Sequence, residues 1–210
     1  MRRDMLLRTV MFLLSTLAII PATASQATRA SKLQLAYDQA APGDVFGQLA
    51  RGMNLELSLD ESVRRWITVQ TSRISYEAAL DAICETAGCR WRVEGGKLFV
   101  EPLTQGERSG LFSHSTPYNK GLDNGLSASM RFENTPLPSA LRQVFDSAGV
   151  AYILFGESMS RSRFVTVDVS NQRVADALAM VLKSAGIKSF GIMQTNDESP
   201  SYFIFIPPSR

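Results

Sequence analysis

Apolar and polar residues alternate in "LQLAYD" (Leu33–Asp38), the pattern of a half-buried strand. In "PGDVFGQLARGM", Val45, Phe46, Leu49 and Met53 recur at helical spacing, "LELSL" alternates again, and "WITVQT" predicts a further strand. "SYEAALDAICETA" predicts a second helix, capped by Ser75 at its start and closed by Gly88. "RWRVEGGKLFVEP" then predicts a hairpin turning at Glu94-Gly95-Gly96. The same succession returns as "SASMRFEN", "LPSALRQVFDSAG", "VAYILF", "FVTVDV", "QRVADALAMVLKSAG" and a last hairpin ending in "YFIFIP". The pattern predicts an α/β (α+β) fold made of two small β-α-β-β-α-β-β modules.

The recurrence is legible residue by residue. Thr68–Gly88 lies over Thr166–Gly186 at an offset of 98 without a gap, matching Thr68-Val69 to Thr166-Val167, Ala79-Leu80 to Ala177-Leu178 and Ala87-Gly88 to Ala185-Gly186. Upstream, "FGQLARGMNLELSL" lies over "LRQVFDSAGVAYIL" at an offset of 95, and the difference is absorbed around "GESMSRSR". Asn54 falls opposite Gly149; both residue types tolerate the left-handed conformation that closes a helix. The modules are expected over residues 32–102 and 126–207. Residues 103–125 are rich in Gly, Ser, Thr and Asn and lack a period, so they are expected to be a flexible linker. As a coil its ends would stand about 25 Å apart, leaving the modules to move independently or dock weakly.

The first residues change the picture of where this chain works. Arg2, Arg3 and Arg8 precede an apolar run from Val10 to Ile20, followed by "PATA" with Ala22 and Ala24 in small-x-small spacing. This is the form of a secretory signal peptide, residues 1–24, and the run falls short of the roughly 20 apolar residues that span a bilayer. The mature chain is expected to be exported and to have no transmembrane span. Cleavage would remove three of 22 basic and one of 20 acidic residues, leaving 19 of each. A neutral chain without a basic run argues against nucleic acid and against peripheral binding to anionic membrane.

Candidate chemistry is sparse. The single histidine, His114, falls in the linker, and no GxSxG elbow, HExxH or phosphate-cradling glycine loop occurs. No catalytic residue, cofactor or metal site is expected. Asp81 and Glu85 stand one turn apart on the second helix and are expected on its solvated face, as are Asp176 and Lys183 in the second copy. One polar element does recur: Arg64, Arg65 and Trp66 precede the same strand as Arg161, Arg163 and Phe164. Arg65 aligns with Arg163, and Trp66 with Phe164. Arginine and tryptophan are enriched at binding hot spots, which makes these residues candidates for partner contact. The competing reading has the aromatic capping the core while the arginine stem lies over it.

Both cysteines fall in "CETAGC", Cys84 to Cys89. A redox couple, half of a metal site, a disulfide and two buried apolar groups are all compatible with that spacing. The repeat narrows the choice, because Cys84 lies opposite Leu182 and Cys89 opposite Ile187. With Gly88 as the left-handed residue, these are the positions that touch in a Schellman cap. In an oxidising compartment that favours a Cys84–Cys89 disulfide stapling the helix end.

"PLPSALRQVFDSAGVAYIL" followed by "VTVDVSNQRVADALAMVLKSAGI" resembles the secretin and TonB short N-terminal domain, a Pro-Leu-x-x-Ala-Leu helix ending in Gly, strands, then a second Ala-Leu helix closing on Gly. Pro136, Leu137, Ala140, Leu141 and Gly149 fit the first part, and Ala177, Leu178, Leu182 and Gly186 the second. The first copy keeps Ala79, Leu80, Gly88 and "EGGKLFV", but its first helix lacks the Ala-Leu pair and ends on Asn. The resemblance implies a periplasmic, non-catalytic recognition domain of an outer-membrane secretion, pilus or TonB-dependent system. Partners of that family are envelope proteins: a secretin, a TonB-type receptor, an anti-sigma regulator or an inner-membrane platform protein. The sequence stops at "FIFIPPSR", so neither a pore region nor a barrel is expected within it. The alternative is a periplasmic ligand- or peptidoglycan-binding protein, with Trp66, Trp91 and Tyr118 available to stack on sugars.

Overall fold

The computed structural model describes residues 32–107, 109–117, 122, 129–196 and 200–207; the signal-peptide reading concerns residues outside this set. Mixed α/β architecture follows the predicted order twice. The first half runs β1 (Leu33–Ala40), α1 (Pro42–Gly52), β2 (Glu56–Leu59), β3 (Ile67–Ile74), α2 (Tyr76–Ala87), β4 (Cys89–Glu94) and β5 (Lys97–Pro102). Then come a short helix α3 (Gly110–Ser113) and strand β6 (Ser115–Pro117). The second half runs β7 (Met130–Pro136), α4 (Leu137–Ala148), β8 (Ala151–Phe155), a 3-10 turn (Gly156–Met159), β9 (Phe164–Val169), α5 (Val174–Ser184), β10 (Gly191–Thr195) and β11 (Ser201–Phe205).

Local chemistry sets these boundaries. Ser75 accepts the Ala78 amide proton at 3.1 Å and starts α2. α1 ends on Asn54 at φ 58°, with Leu55 N–H bonded to Ala50 and Asn54 N–H to Arg51, a complete Schellman motif. α5 ends in the same motif at Gly186. α2 departs from the expectation: Gly88 is left-handed, but its amide bonds back to Cys84 at 2.8 Å, the simpler single-bond closure.

Each half builds a two-stranded antiparallel sheet (β1–β3, β7–β9) and a three-stranded one in which a parallel pair is extended by a hairpin (β2–β5–β4, β8–β11–β10). α2 packs on β3 and on β4, and α5 packs on β9 and on α4. Each half therefore has its own cluster of buried side chains, the first around Phe46, Ile67, Leu80 and Ile83, the second around Phe132, Phe145, Tyr152 and Leu178.

The halves are joined by strand pairing. β3 lies antiparallel to β8, Val69 opposite Phe155 through Ser72 opposite Tyr152, so one sheet runs β1-β3-β8-β11-β10-β6 through both. Ile153 and Phe203 of the second half belong to the first half's core. Arg73 Nη1 donates to the Gly149 carbonyl at 2.5 Å, and Arg161 pairs with Asp38 at 2.8 Å across the same joint. The expected flexible linker is corrected over residues 110–117. α3 packs on α2, and β6 pairs with β10 from Ser115 opposite Thr195 to Pro117 opposite Met193. Among the described residues no helix is long and apolar enough to cross a membrane.

Candidate functional site

An open groove of about 680 Å³ runs along the joint. Its walls come from the end of α2 (Glu85, Gly88), the segment after β5 (Leu103, Glu107, Ser109), Phe112 of α3, and Met193 and Phe205 of β10 and β11, with Arg65 at the rim. Phe112 stands edge-on to both Phe203 and Phe205, with ring centroids 5.8 and 5.3 Å away. The floor is apolar and made by both halves. The rim groups are largely engaged: Glu85 accepts from the Ser109 hydroxyl, and Glu107 accepts from the Thr104 amide and pairs with Arg90 at 3.0 Å. Backbone donation from Thr104 is the main reason the Glu107 carboxyl is held below the ordinary range, with Arg90 adding a smaller pull.

Beside the groove lies a polar cluster that sequence reasoning placed wrongly. Asp81 was expected on a solvated face, yet it is 7% exposed. Its carboxylate accepts from the Trp91 indole at 2.7 Å and faces His114 Nδ1 at 3.4 Å. An added Cβ at Gly110 would meet the Asp81 carboxylate, which would have to shift. The physical reason is α3, which covers a side of α2 that an isolated module would expose. Two signals were available. "YEAALDAIC" carries small or apolar residues nearly all round the helix, the mark of a helix covered on more than one side. The second was "AYILF", an apolar run without alternation, as a strand buried on both faces requires.

The recurring Arg–aromatic triplets occupy equivalent places in two different sheets and form no hydrogen bond or ion pair with each other. Their arginines do mostly local work. Arg64 Nε bonds the Glu61 carbonyl at 2.7 Å, and Arg163 Nη1 bonds the Ala185 carbonyl at 3.2 Å while its guanidinium lies 3.4 Å from Glu157. A cation on the last carbonyls of a helix complements its dipole. Arg65 lies in the same place over Gly88, but makes no hydrogen bond or ion pair with any described residue. The aromatics do not cap the core: Trp66 is 63% and Phe164 47% exposed. Of the three rings suited to sugars, Trp66 is free, Trp91 is half-buried and tied to Asp81, and Tyr118 lies outside the described residues.

Cys84 and Cys89 are both buried, with their sulfurs 2.6 Å apart and no other hydrogen-bonding group on them. Burial pushes the Cys84 thiol up, and Cys89 adds to this, so neither a thiolate nucleophile nor a ready metal ligand is favoured there. Among the described residues no three His, Cys, Asp or Glu side chains gather as a metal site would need. No known protein family, curated protein or solved structure matches this chain.

Proposed function

We propose that this chain is an exported, non-catalytic recognition protein of the periplasm. It would act as an adaptor or accessory subunit of an outer-membrane secretion, pilus or TonB-dependent assembly. The observation that carries the reading is the joint groove: an open trough with an aromatic and methionine floor, rimmed by polar groups and assembled from both halves. Such a surface suits apolar side chains of a protein segment, with hydrogen bonding left to the rim. The resemblance of both copies to the secretin and TonB short N-terminal domain supplies the compartment and the class of partner. Recognition is favoured over catalysis because the groove's one serine meets only the Glu85 carboxylate, and its lining carries no histidine, lysine or cysteine to complete a nucleophile–base–orienter set. Trp66, exposed beside Arg65, is a second candidate contact of the hot-spot type.

The test is photo-crosslinking in intact cells of the producing organism, with p-benzoylphenylalanine at Phe205 in the groove and, separately, at Trp66. An adduct with one envelope protein, lost when Met193→Glu is added, is the expected result. A folded, exported protein that yields no envelope adduct from either position overturns the reading. Retention on insoluble peptidoglycan without such an adduct transfers it to cell-wall binding.

A further inference from the structure

The parts of the internal joint occur a second time in the molecule, at places where no further strand is bound. β3 is the partner of β1, and β9 holds the same place beside β7. The likeness reaches the irregularities. The β1–β3 ladder shifts register between Tyr37 and Ala40, the β7–β9 ladder between Phe132 and Thr135. Gln39 and Asn134 are both left-handed inside these shifts, and their amides donate to the hydroxyls of Thr68 and Thr166 at 3.0 and 3.1 Å. Arg73 and Asn171, at the far ends, are left-handed too. On the other side of the joint, β8 is the outer strand of β8–β11–β10, and β2 is the outer strand of β2–β5–β4. Thus β9 repeats the edge that receives β8, and β2 repeats the strand received. Among the described residues neither has a neighbour on its outer side.

We infer that the chain associates head to tail with a second copy of itself, β2 of one copy adding antiparallel to β9 of the next. Transferring the internal register sets Val167 opposite Asp60, Asp168 opposite Leu59, Val169 opposite Ser58 and Ser170 opposite Leu57. The outward amide and carbonyl of Thr166 are already taken by the Ser184 hydroxyl, each at 3.0 Å. That does not block the joint, because its counterpart Thr68 also lies outside the internally paired stretch. The helix that would cover the new joint is α5. By the same correspondence Lys183 replaces Glu85, and Glu101, which already pairs with Arg90 and Arg92, replaces its groove neighbour Phe205, so Lys183 joins an exposed ion-pair network where the internal joint has a carboxylate against an aromatic. Met180 replaces Ala82, adding apolar bulk on a half-buried helix face.

This contact is weaker than the internal one. Ile153 and Phe203, which enter the first half's core, have Ser58 and Phe99 as counterparts, and Phe99 is covered by the Arg92 guanidinium at 4.2 Å. Each copy offers one β9 edge and one β2 edge, so the contact joins unlike surfaces and builds rings or filaments rather than a closed twofold dimer.

Sedimentation velocity of the purified chain from about 1 μM to 1 mM, at low and high salt, is the test. The average mass should rise with concentration beyond two copies and fall back in high salt. Asp168→Pro removes an outward amide without touching the β7 ladder and should leave a monomer. Should it fail to fold by circular dichroism, Lys183→Glu on the exposed face of α5 should raise the apparent dissociation constant about five-fold. In a mixture of ordinary and isotope-labelled chains, p-benzoylphenylalanine at position 168 should link to residues 57–60 of the other copy. A monomer at every concentration overturns the inference, as does a dimer insensitive to both variants. An adduct within one chain, onto residues 1–31, also overturns it by making that segment the occupant of the edge.

Discussion

The two halves share a backbone plan down to one bulge and its left-handed residue, yet the corresponding faces of their three-stranded sheets differ in character. In β8–β11–β10 the face turned toward the first half carries Ile153, Phe203, Met193 and Phe205. At the corresponding places in β2–β5–β4 stand Ser58, Phe99, Arg92 and Glu101, and that surface is laced with ion pairs: Lys97 with Glu56 at 2.9 Å, and Arg90 and Arg92 with Glu101 at 3.2 and 3.4 Å. The helices differ in the same sense. α2 buries Ala78, Asp81 and Ala82, whereas the matching Asp176 of α5 is exposed and Ala179 and Met180 are half-buried. A handful of side chains, with the backbone held constant, thus decides which edge is filled from within the chain. These three ion pairs are exposed and add little stability of their own. What they do is keep the second edge from closing as tightly as the first.

The largest effect should come from giving the joint its sister's residue. Ile153 is fully buried, and Ile153→Ser removes its side chain from the first half's core while leaving a hydroxyl there without water. Loss of burial and the unpaired hydroxyl together should cost about 3–5 kcal/mol. Because the joint couples two separate cores, urea unfolding followed at Trp66 and Trp91 and, in parallel, by circular dichroism should resolve into two transitions where the parent shows one. A single transition, displaced by less than about 1 kcal/mol, would mean that Ile153 does not hold the halves together.

That same residue marks the boundary of what the sequence discloses. Everything set by local chemistry was legible: the alternation of β1, the Ser75 cap, the left-handed Asn54 and Gly149, the glycine turn after Glu94 and the order of elements in both halves. Each is fixed by residues within a few positions of one another. The joint pairs residues 69–72 with 152–155, and nothing near either segment names the other. Ile153 looks like any core residue of its own half. Residues 103–125 misled for the same reason, since α3 and β6 are short elements held by α2 and β10 rather than by a pattern of their own. The groove, built from five separate stretches, was therefore out of reach, though Arg65 at its rim had been singled out.

A smaller effect is expected where the first half replaces the second half's apolar helix end with thiols. Cys84 and Cys89 stand where the second half has Leu182 and Ile187, and their sulfurs meet inside the core. We expect a disulfide in protein taken from an oxidising compartment. Alkylation in denaturant without reductant should then leave both cysteines unmodified, and the intact mass should be lower by two hydrogen atoms than after reduction. Six residues close the loop, so reduction should lower stability by about 2 kcal/mol. Two free thiols in the native exported protein would sink the staple and leave Cys84 and Cys89 as apolar filling, like their counterparts.

The smallest effects belong to the polar ties across the joint, and they separate what holds the halves from what only decorates their contact. Arg73 reaches the Gly149 carbonyl from a left-handed backbone, an arrangement its counterpart Asn171 is too short to copy. Arg73→Ala should cost about 1 kcal/mol, the net worth of a partly exposed charged hydrogen bond. Arg73→Asn should cost roughly half that, because asparagine tolerates the left-handed conformation better and regains part of the loss. Arg161 and Asp38 are 75% and 50% exposed at 2.8 Å, so their coupling in a double-mutant cycle should stay below about 0.5 kcal/mol and vanish in high salt. If the Arg161–Asp38 coupling instead exceeds the cost of Arg73→Ala, the joint is held by its charges. The contrast between an apolar edge closed from within and a charged edge left open would then lose its physical basis.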